Sequence, residues 1–349
     1  MKKLILGIVF LFGINAAKAQ SDMAQFLTSG TADANLLIKD YASPFLETFG
    51  NNLNNGWYST AAPLKTGRFT LTIGGTASFV PKDKQSFTID PTKYNNIRTD
   101  GNVPINAPTV FGGDTPIKNL YAYYNDGGTS IQTPIKLKGT GVNMSPLPVV
   151  QLSVGLIKGT EVMLRIFPKL DMGDYKAGYF GIGLKHDIKQ WLPFMSKLPF
   201  ELSFIGAYTS ASFDMIGNDF LKVNDTVYNP KPLTDYKNQA INFSSKAWNA
   251  NLVISKKLSL LTLFGGVRLS HYKTTLELKG NFPITIKNNG INEIETLTDP
   301  IGFDVSGTHI GFNGGLRIKL GFLAIFAEGS LVPGGYSSAT AGLNIGFFN

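Results

Sequence analysis

Phe69-Thr70-Leu71-Thr72-Ile73-Gly74-Gly75-Thr76-Ala77-Ser78-Phe79 is the stretch that decides the fold. Phe69, Leu71, Ile73, Ala77 and Phe79 alternate with Thr70, Thr72, Gly74, Thr76 and Ser78. Successive side chains of a strand point to opposite faces, so this segment has one apolar and one hydroxyl-rich face. A tilted strand of about ten residues is long enough to cross a bilayer. Similar segments recur near 148–157, 160–168, 175–187, 199–213, 245–255, 259–274, 307–319, 321–330 and 336–348. One face of these is large and apolar along its length: Val162, Leu164 and Ile166; Phe200, Leu202 and Phe204; Leu263, Val267 and Leu269; Ile310, Phe312 and Leu316. The opposite faces are polar or small. A soluble sandwich would need its apolar faces inward and turns of similar length at both ends. The pattern therefore predicts an all-β fold, an antiparallel transmembrane β-barrel of about 10–14 strands over residues 67–349.

The connections carry the stronger argument. Short links at 157–160, 255–258 and 319–321 read as tight turns, and 187–198 as a compact helical link. Three others, 81–146, 214–244 and 275–306, are long and polar. Outer-membrane barrels have short periplasmic turns and longer outer loops. With the first strand running outward, every tight link falls inside and every long one outside. The segments 117–124 and 130–139 read either as one more barrel hairpin, which makes twelve strands, or as part of an outer loop.

The chain opens with Met1-Lys2-Lys3, an apolar run over 4–14 and Ala17-Lys18-Ala19 before Gln20. A basic start, a short apolar stretch and a small-x-small site describe a secretory signal peptide over 1–19, cleaved between Ala19 and Gln20. Its removal takes away Lys2, Lys3 and Lys18 and lowers the formal charge from +8 to +5. The remaining bases are dispersed, which gives no argument for nucleic acid. There is no Cys, so disulfides and thiolate metal sites are excluded. Mean hydropathy is near zero, and no later apolar run approaches the length of a membrane helix. The predicted location is the outer membrane of a Gram-negative bacterium, with outer-membrane lipid and the barrel-assembly machinery as partners.

Residues 20–66 read differently. The segment 32–41 looks helical, with Asp33 as its cap; Pro44 starts or kinks a second turn, and Asn51-Asn52-Leu53-Asn54-Asn55-Gly56 ends it. This helical stretch before the first strand is predicted to be a hatch, with Phe45, Phe49, Trp57 and Tyr58 plugging the lumen. The faces opposite the lipid place Glu161, Arg165, Glu201, Arg268, Arg317 and Glu328 in the lumen, as an interior ion-pair network or as a selective site. Tyr175, Tyr179, Tyr208, Trp248, Tyr272 and Tyr336 read as interfacial girdles. No catalytic, metal or cofactor site is expected. In Ser270-His271 the two side chains face opposite sides of a strand, so they cannot act as nucleophile and base.

The runs Leu53-Asn54-Asn55-Gly56-Trp57-Tyr58-Ser59-Thr60-Ala61, Pro148-Val149-Val150-Gln151, Gly159-Thr160-Glu161-Val162 and Gly183-Leu184-Lys185-His186-Asp187 resemble an uncharacterised family of outer-membrane barrel proteins, over most of the mature chain. More loosely, the chain is similar to the outer-membrane long-chain fatty-acid transporters, which place an N-terminal helical hatch ahead of the barrel. Their Asn-Pro-Ala hatch motif is absent here. That resemblance implies a hatch-gated passage for a small hydrophobic molecule. The alternative is a closed structural or surface-interaction barrel that acts through its outer loops.

Overall fold

The computed structural model describes residues 26–27, 29–126, 129–171, 173, 175–195, 197–217, 236, 239–288 and 291–346. The expected signal peptide and its cleavage site at Ala19 and Gln20 lie outside these residues, as does most of 214–244. A helix, α1 (Thr31–Leu53), precedes the strands β1 (Phe69–Phe79), β2 (Ser86–Ile89), β3 (Ile97–Thr99), β4 (Ile105–Pro108), β5 (Leu120–Asp126), β6 (Thr129–Pro134), β7 (Met144–Leu156), β8 (Thr160–Asp171), β9 (Tyr175–Asp187), β10 (Glu201–Gly217), β11 (Gln239–Leu258), β12 (Leu261–Lys279), β13 (Asn281–Asn288), β14 (Ile291–Thr298), β15 (Ile301–Leu320), β16 (Leu323–Leu331) and β17 (Ser338–Gly346).

Ten of these strands close into an antiparallel barrel in the order β1-β7-β8-β9-β10-β11-β12-β15-β16-β17 and back to β1. The hairpin anticipated within 117–139 does form, as β5 and β6, but it joins β3 in a separate three-stranded sheet. At seven and six residues these strands are too short to cross a bilayer, which takes about 9–11 residues. The twelve-strand reading therefore fails, and the barrel stands at the lower end of the expected range.

The period-two pattern sorts the faces. On β1, Thr70, Thr72, Thr76 and Ser78 are buried, while Phe69, Ile73 and Phe79 are exposed. The same outward apolar exposure runs around the wall through Ile166, Ile182, Phe204, Leu252, Val267 and Phe312. A soluble protein does not present a continuous apolar band of this kind, and a lipid-facing barrel requires one. Phe200, expected on that outer face, precedes β10 and instead turns into the barrel mouth. The aromatics divide as well. Tyr208 and Trp248 face outward, but Tyr179, Tyr272 and Tyr336 are buried rather than set in a girdle.

Both ends of the barrel chain and the tight turns β7–β8, β11–β12 and β15–β16 lie at one end. The turn expected at 255–258 is displaced: β11 continues to Leu258, and Ser259 turns the chain with φ +56°. Gly321 does the same with φ +63°, where a side chain would be strained. Of the helical link at 187–198, a single turn forms at Lys189–Trp191. At the other end β10, β11, β12 and β15 run for 17, 20, 19 and 20 residues. That is about twice what the hydrocarbon needs, so much of the expected loop 275–306 is strand raised above the membrane.

Above this tall rim the insertions fold into a cap. Its core joins Ala34, Leu37 and Ile38 of α1 to Ile89, Ile97, Leu120, Ile135 and Leu137 of the 81–146 insertion, and to Leu278, Phe282 and Ile301 at the rim. Asp33 is not the helix cap. Gly30 holds that position, and the Asp33 carboxylate accepts the backbone N–H groups of Asn95 and Asn96 at 3.0 and 2.6 Å, fixing the cap loop to the helix. Asn35 makes a second tie, donating to the Pro300 carbonyl at 2.9 Å and accepting from Gly302 N at 3.0 Å. From the cap, α1 descends as one helix with Pro44 inside it. Among the described residues no helix is long and apolar enough to cross a membrane; α1 is enclosed by strands instead, touching β1, β7, β11, β12 and β15.

Candidate functional site: the plugged lumen and its vestibule

A polar lumen receives a helix only if each buried donor and acceptor finds a partner. The run at 51–56 does most of this for the lower end of α1, with the Asn55 Nδ2 the exception. Asn51 donates to Ser78 Oγ at 2.8 Å, and Asn52 donates to the Ser145 carbonyl at 2.7 Å while accepting from Ser78 Oγ at 2.7 Å. Asn54 donates to the His271 carbonyl at 3.1 Å and accepts from Asn249 Nδ2 at 3.1 Å. Asn55 accepts from Arg268 Nη1 at 2.5 Å. All four asparagines are buried. An amide carries both a donor and an acceptor, so it can bridge either kind of group on the wall. Read from sequence as a helix stop, this run is the grip of the plug; its signal is that it holds four asparagines where one C-cap would do.

Below it the chain continues through the barrel as an irregular, bent segment. Trp57 is fully buried, with the Arg165 guanidinium 3.9 Å above its ring and its Nε1 donating to the Leu53 carbonyl at 3.2 Å. The ring lies close against β9 because β9 offers Gly181 and Gly183 there. A Cβ on either would fall 3.1 or 2.9 Å from the indole. Arg165 is further held by Gln151, whose Oε1 accepts from its Nε at 3.0 Å. Tyr58 is buried against Phe264 in an edge contact, with 5.9 Å between centroids. Ser59 accepts from Asn344 at 2.7 Å, and the Ala61 carbonyl accepts from Ser203 at 2.6 Å. Leu64 N donates to Glu161 Oε2 at 2.9 Å. Nearer the cap, Phe49 meets Phe243 edge-on at 4.6 Å, and Phe45 lies between Phe243 and Phe111. Beside them Tyr336 donates to Glu47. Burial, with that carboxylate next to it, pushes the Tyr336 hydroxyl well above its ordinary range, so it stays a neutral donor.

The six residues expected in the lumen divide into three groups. Arg165, Arg268 and Glu328 are buried inside the barrel, with Glu328 within electrostatic reach of both arginines. Arg268 also donates to the Asn54 carbonyl and to Ser330, so both arginines are anchored largely by neutral groups of plug and wall. Glu161 is buried in an ion pair, but with Lys185 of β9, at 3.0 Å, and not with an arginine. Sequence reasoning left Lys185 out, although it shares the parity of Gly181 and Gly183 on the inner face of β9. Glu201 and Arg317 stand lower, lining a cavity of about 500 Å³ between the plug and the end of the barrel with the tight turns. Its roof is the plug segment 56–60 with Ala62, Leu64 and Lys65.

His271 faces outward, stacked on Trp248 with 5.8 Å between centroids, while Ser270 is buried on the inner face. His309 stacks on Tyr272 at 6.0 Å.

Among solved structures the chain is similar to Ail, the attachment invasion locus protein of Yersinia pestis, with 9% identity and a TM-score of 0.27 over 80% of this chain and 97% of that one. It is similar also to the translocator domain of the autotransporter NalP from Neisseria meningitidis, with 10% identity and a TM-score of 0.28 over 81% of this chain and 89% of that one. For the transport unit of the autotransporter AIDA-I from Escherichia coli the values are 9% and 0.28, over 88% and 99%. Likeness this slight carries no detail, and the barrel stands on its own strand order and register. The expected similarity to fatty-acid transporters gains no support from these matches. No curated protein matches the chain. The model described as "Family of unknown function (DUF6588)" matches residues 1–347, and the chain belongs to that family.

Proposed function

We propose that this protein is a sealed barrel of the Gram-negative outer membrane, exported by a signal peptide cleaved after Ala19, which holds a folded cap at the cell surface and acts there by contact rather than by conduction. One observation carries the reading. Side chains or backbone of the plug are bonded to seven of the ten barrel strands: β1, β7, β8, β10, β11, β12 and β17. The upper part of the same helix is the centre of the cap core. Withdrawing the plug would break both sets of contacts together. A second reading, passage of a small hydrophobic molecule past a moving hatch, is favoured by the cavity under the plug, but charged side chains such as Glu161, Lys185, Glu201 and Arg317 stand among its apolar groups. In planar bilayers the refolded mature protein is expected to show no open-channel current, and removal of residues 26–66 is expected to expose a conducting lumen. Steady conductance or uptake of a hydrophobic tracer by the intact protein would favour the hatch.

The direction of α1 gives a second expectation. Its first turn lies in the cap, and the plug leaves the barrel at the end with the tight turns. Short turns are periplasmic in such barrels, which puts the start of α1 on the outer surface. The chain has no cysteine of its own, so single cysteines report cleanly. Thr31→Cys should react with a membrane-impermeant maleimide on intact cells, and Thr66→Cys only after the outer membrane is permeabilised. The opposite pattern would invert the barrel.

A further inference from the structure

At the end with the tight turns, β7–β8, β11–β12 and β15–β16 turn within 157–159, 259–260 and 321–322, whereas the β9–β10 link spans 188–200. This longer link is tied down. Ile188 N donates to the Leu202 carbonyl at 3.1 Å, Lys189 Nζ to the Leu198 carbonyl at 2.7 Å, and Gln190 Nε2 to the Lys158 carbonyl of the neighbouring turn at 3.0 Å. Held this way, it still turns its large apolar side chains outward. Phe194 is 95% exposed and Trp191 64%, with Leu192, Met195 and Leu198 exposed beside them. An ordered segment with so contiguous an apolar surface marks a site of contact with a membrane or a protein.

The position of Trp191 decides between them. On β9, Phe180, Ile182 and Leu184 belong to the outward apolar band, and His186 shares their parity. Trp191 stacks on His186 with 6.2 Å between centroids, and its Nε1 donates to His186 Nε2 at 3.0 Å. An indole N–H only donates, so His186 Nε2 accepts and its Nδ1–H donates to Thr160 Oγ1 at 2.9 Å. Thr160 is the β8 residue paired with His186. The indole therefore prolongs the lipid-facing column past the end of β9. The opposite rim carries the same trio on its outer face: Trp248 stacks on His271, whose Nδ1 lies 2.8 Å from Thr308 Oγ1. Tryptophans at the two ends of an apolar band mark the two interfaces between lipid and water. Charge agrees with this. Residues 188–198 hold two lysines and no acid, Lys197 is exposed, and so is Lys158 in the adjoining turn. The Asp187 carboxylate is turned back to accept Lys189 N at 2.9 Å.

We propose that the 188–198 link is a lipid anchor: Trp191, Phe194 and Met195 enter the boundary between headgroups and acyl chains of the inner leaflet, where Lys158 and Lys197 meet anionic phospholipid headgroups. The choice of leaflet rests on the reading that the tight turns are periplasmic. Apolar side chains set into the boundary and bases beside them both strengthen attachment to an anionic bilayer. The link runs directly into β9, whose Gly181 and Gly183 receive the ring of Trp57. Lipid contact outside thus steadies the strand against which the plug seals inside.

The test uses the refolded mature protein in vesicles of mixed phosphatidylcholine and phosphatidylglycerol. Phe194→Cys, a change at an exposed tip that removes no packing, carries an environment-sensitive fluorophore; Lys118→Cys, exposed on the cap, carries the same label as a reference in water. The label at 194 should be shielded from aqueous iodide several-fold relative to the one at 118. Chain-spin-labelled phosphatidylglycerol should quench it at least twofold more than equally labelled phosphatidylcholine. Lys158→Gln with Lys197→Gln should bring the two lipids level. A label at 194 as open to iodide as the one at 118 would overturn the proposal and leave the link to a periplasmic protein. Equal quenching of the parent by the two lipids would overturn it as well. Both leaflets of such vesicles are alike, so these results do not depend on which way the barrel faces; Thr31→Cys and Thr66→Cys on cells decide that separately.

Discussion

Trp57→Ala is expected to destabilise the refolded barrel by about 3–5 kcal/mol, the usual cost of deleting a large buried aromatic side chain, and to give the intact chain flickering conductance. The indole fills the space between α1 and β9, where Gly181 and Gly183 leave no side chain to take its place. Its loss also removes the ring beneath Arg165, whose charge then sits over a void. A desolvated cation–π contact contributes about 2 kcal/mol. The void would adjoin the vestibule, so the seal fails just below the helix. Trp57→Phe keeps a ring under the guanidinium but loses the hydrogen bond to Leu53, and should fall between alanine and the parent. Gly183→Val approaches the same contact from the wall. Its side chain would meet the indole and the end of Met163, and overpacking of this kind costs roughly 1–3 kcal/mol. Urea midpoints in lipid vesicles measure all three. A Trp57→Ala barrel as stable and as silent as the parent would mean that the plug is held elsewhere.

The barrel was legible because lipid imposes a rule on every second residue. Phe69, Leu71 and Ile73 against Thr70 and Thr72 could be sorted without knowing any neighbour, and each later strand repeats the test. The burial of Tyr272 follows from the same rule, since it shares the parity of Arg268 and Ser270. Its ring near a strand end suits an interface as well as a lumen, and parity decides between them. Lys185 was hidden differently. It stands at the end of β9 beside His186 and Asp187, where a charge reads as rim, and its partner Glu161 is distant in sequence. Of the cap only the helix and the hairpin within 117–139 could be read, not its core. Its core depends on Leu37 and Ile38 meeting Ile97, Leu120 and Ile135, contacts across long insertions rich in Pro and Gly that carry no period. The asparagine run shows the same limit from the other side. Local rules make Asn54 a helix stop, which it is, but they say nothing of Asn249 waiting on β11.

Breaking the Glu161–Lys185 pair should give the other large effect, and the pattern among variants matters more than any single value. Both side chains are almost fully buried, at 5% and 4% exposure. Lys185→Met would leave a buried carboxylate with only the Leu64 N–H, and losing one partner of a buried pair costs about 3–5 kcal/mol. Glu161→Leu should cost at least as much, because it strands the ammonium and also leaves Leu64 N without its acceptor. With both replaced no charge remains to be stranded. What is left is one unsatisfied backbone donor, a penalty of about 1–3 kcal/mol, so the double variant should be more stable than Glu161→Leu alone. That inversion is the signature of a desolvated pair, because an exposed one would give small and nearly additive losses. If the two single losses simply add, the pair is solvated through the vestibule. Glu161 would then serve mainly as the hydrogen-bond acceptor that holds the plug at Leu64.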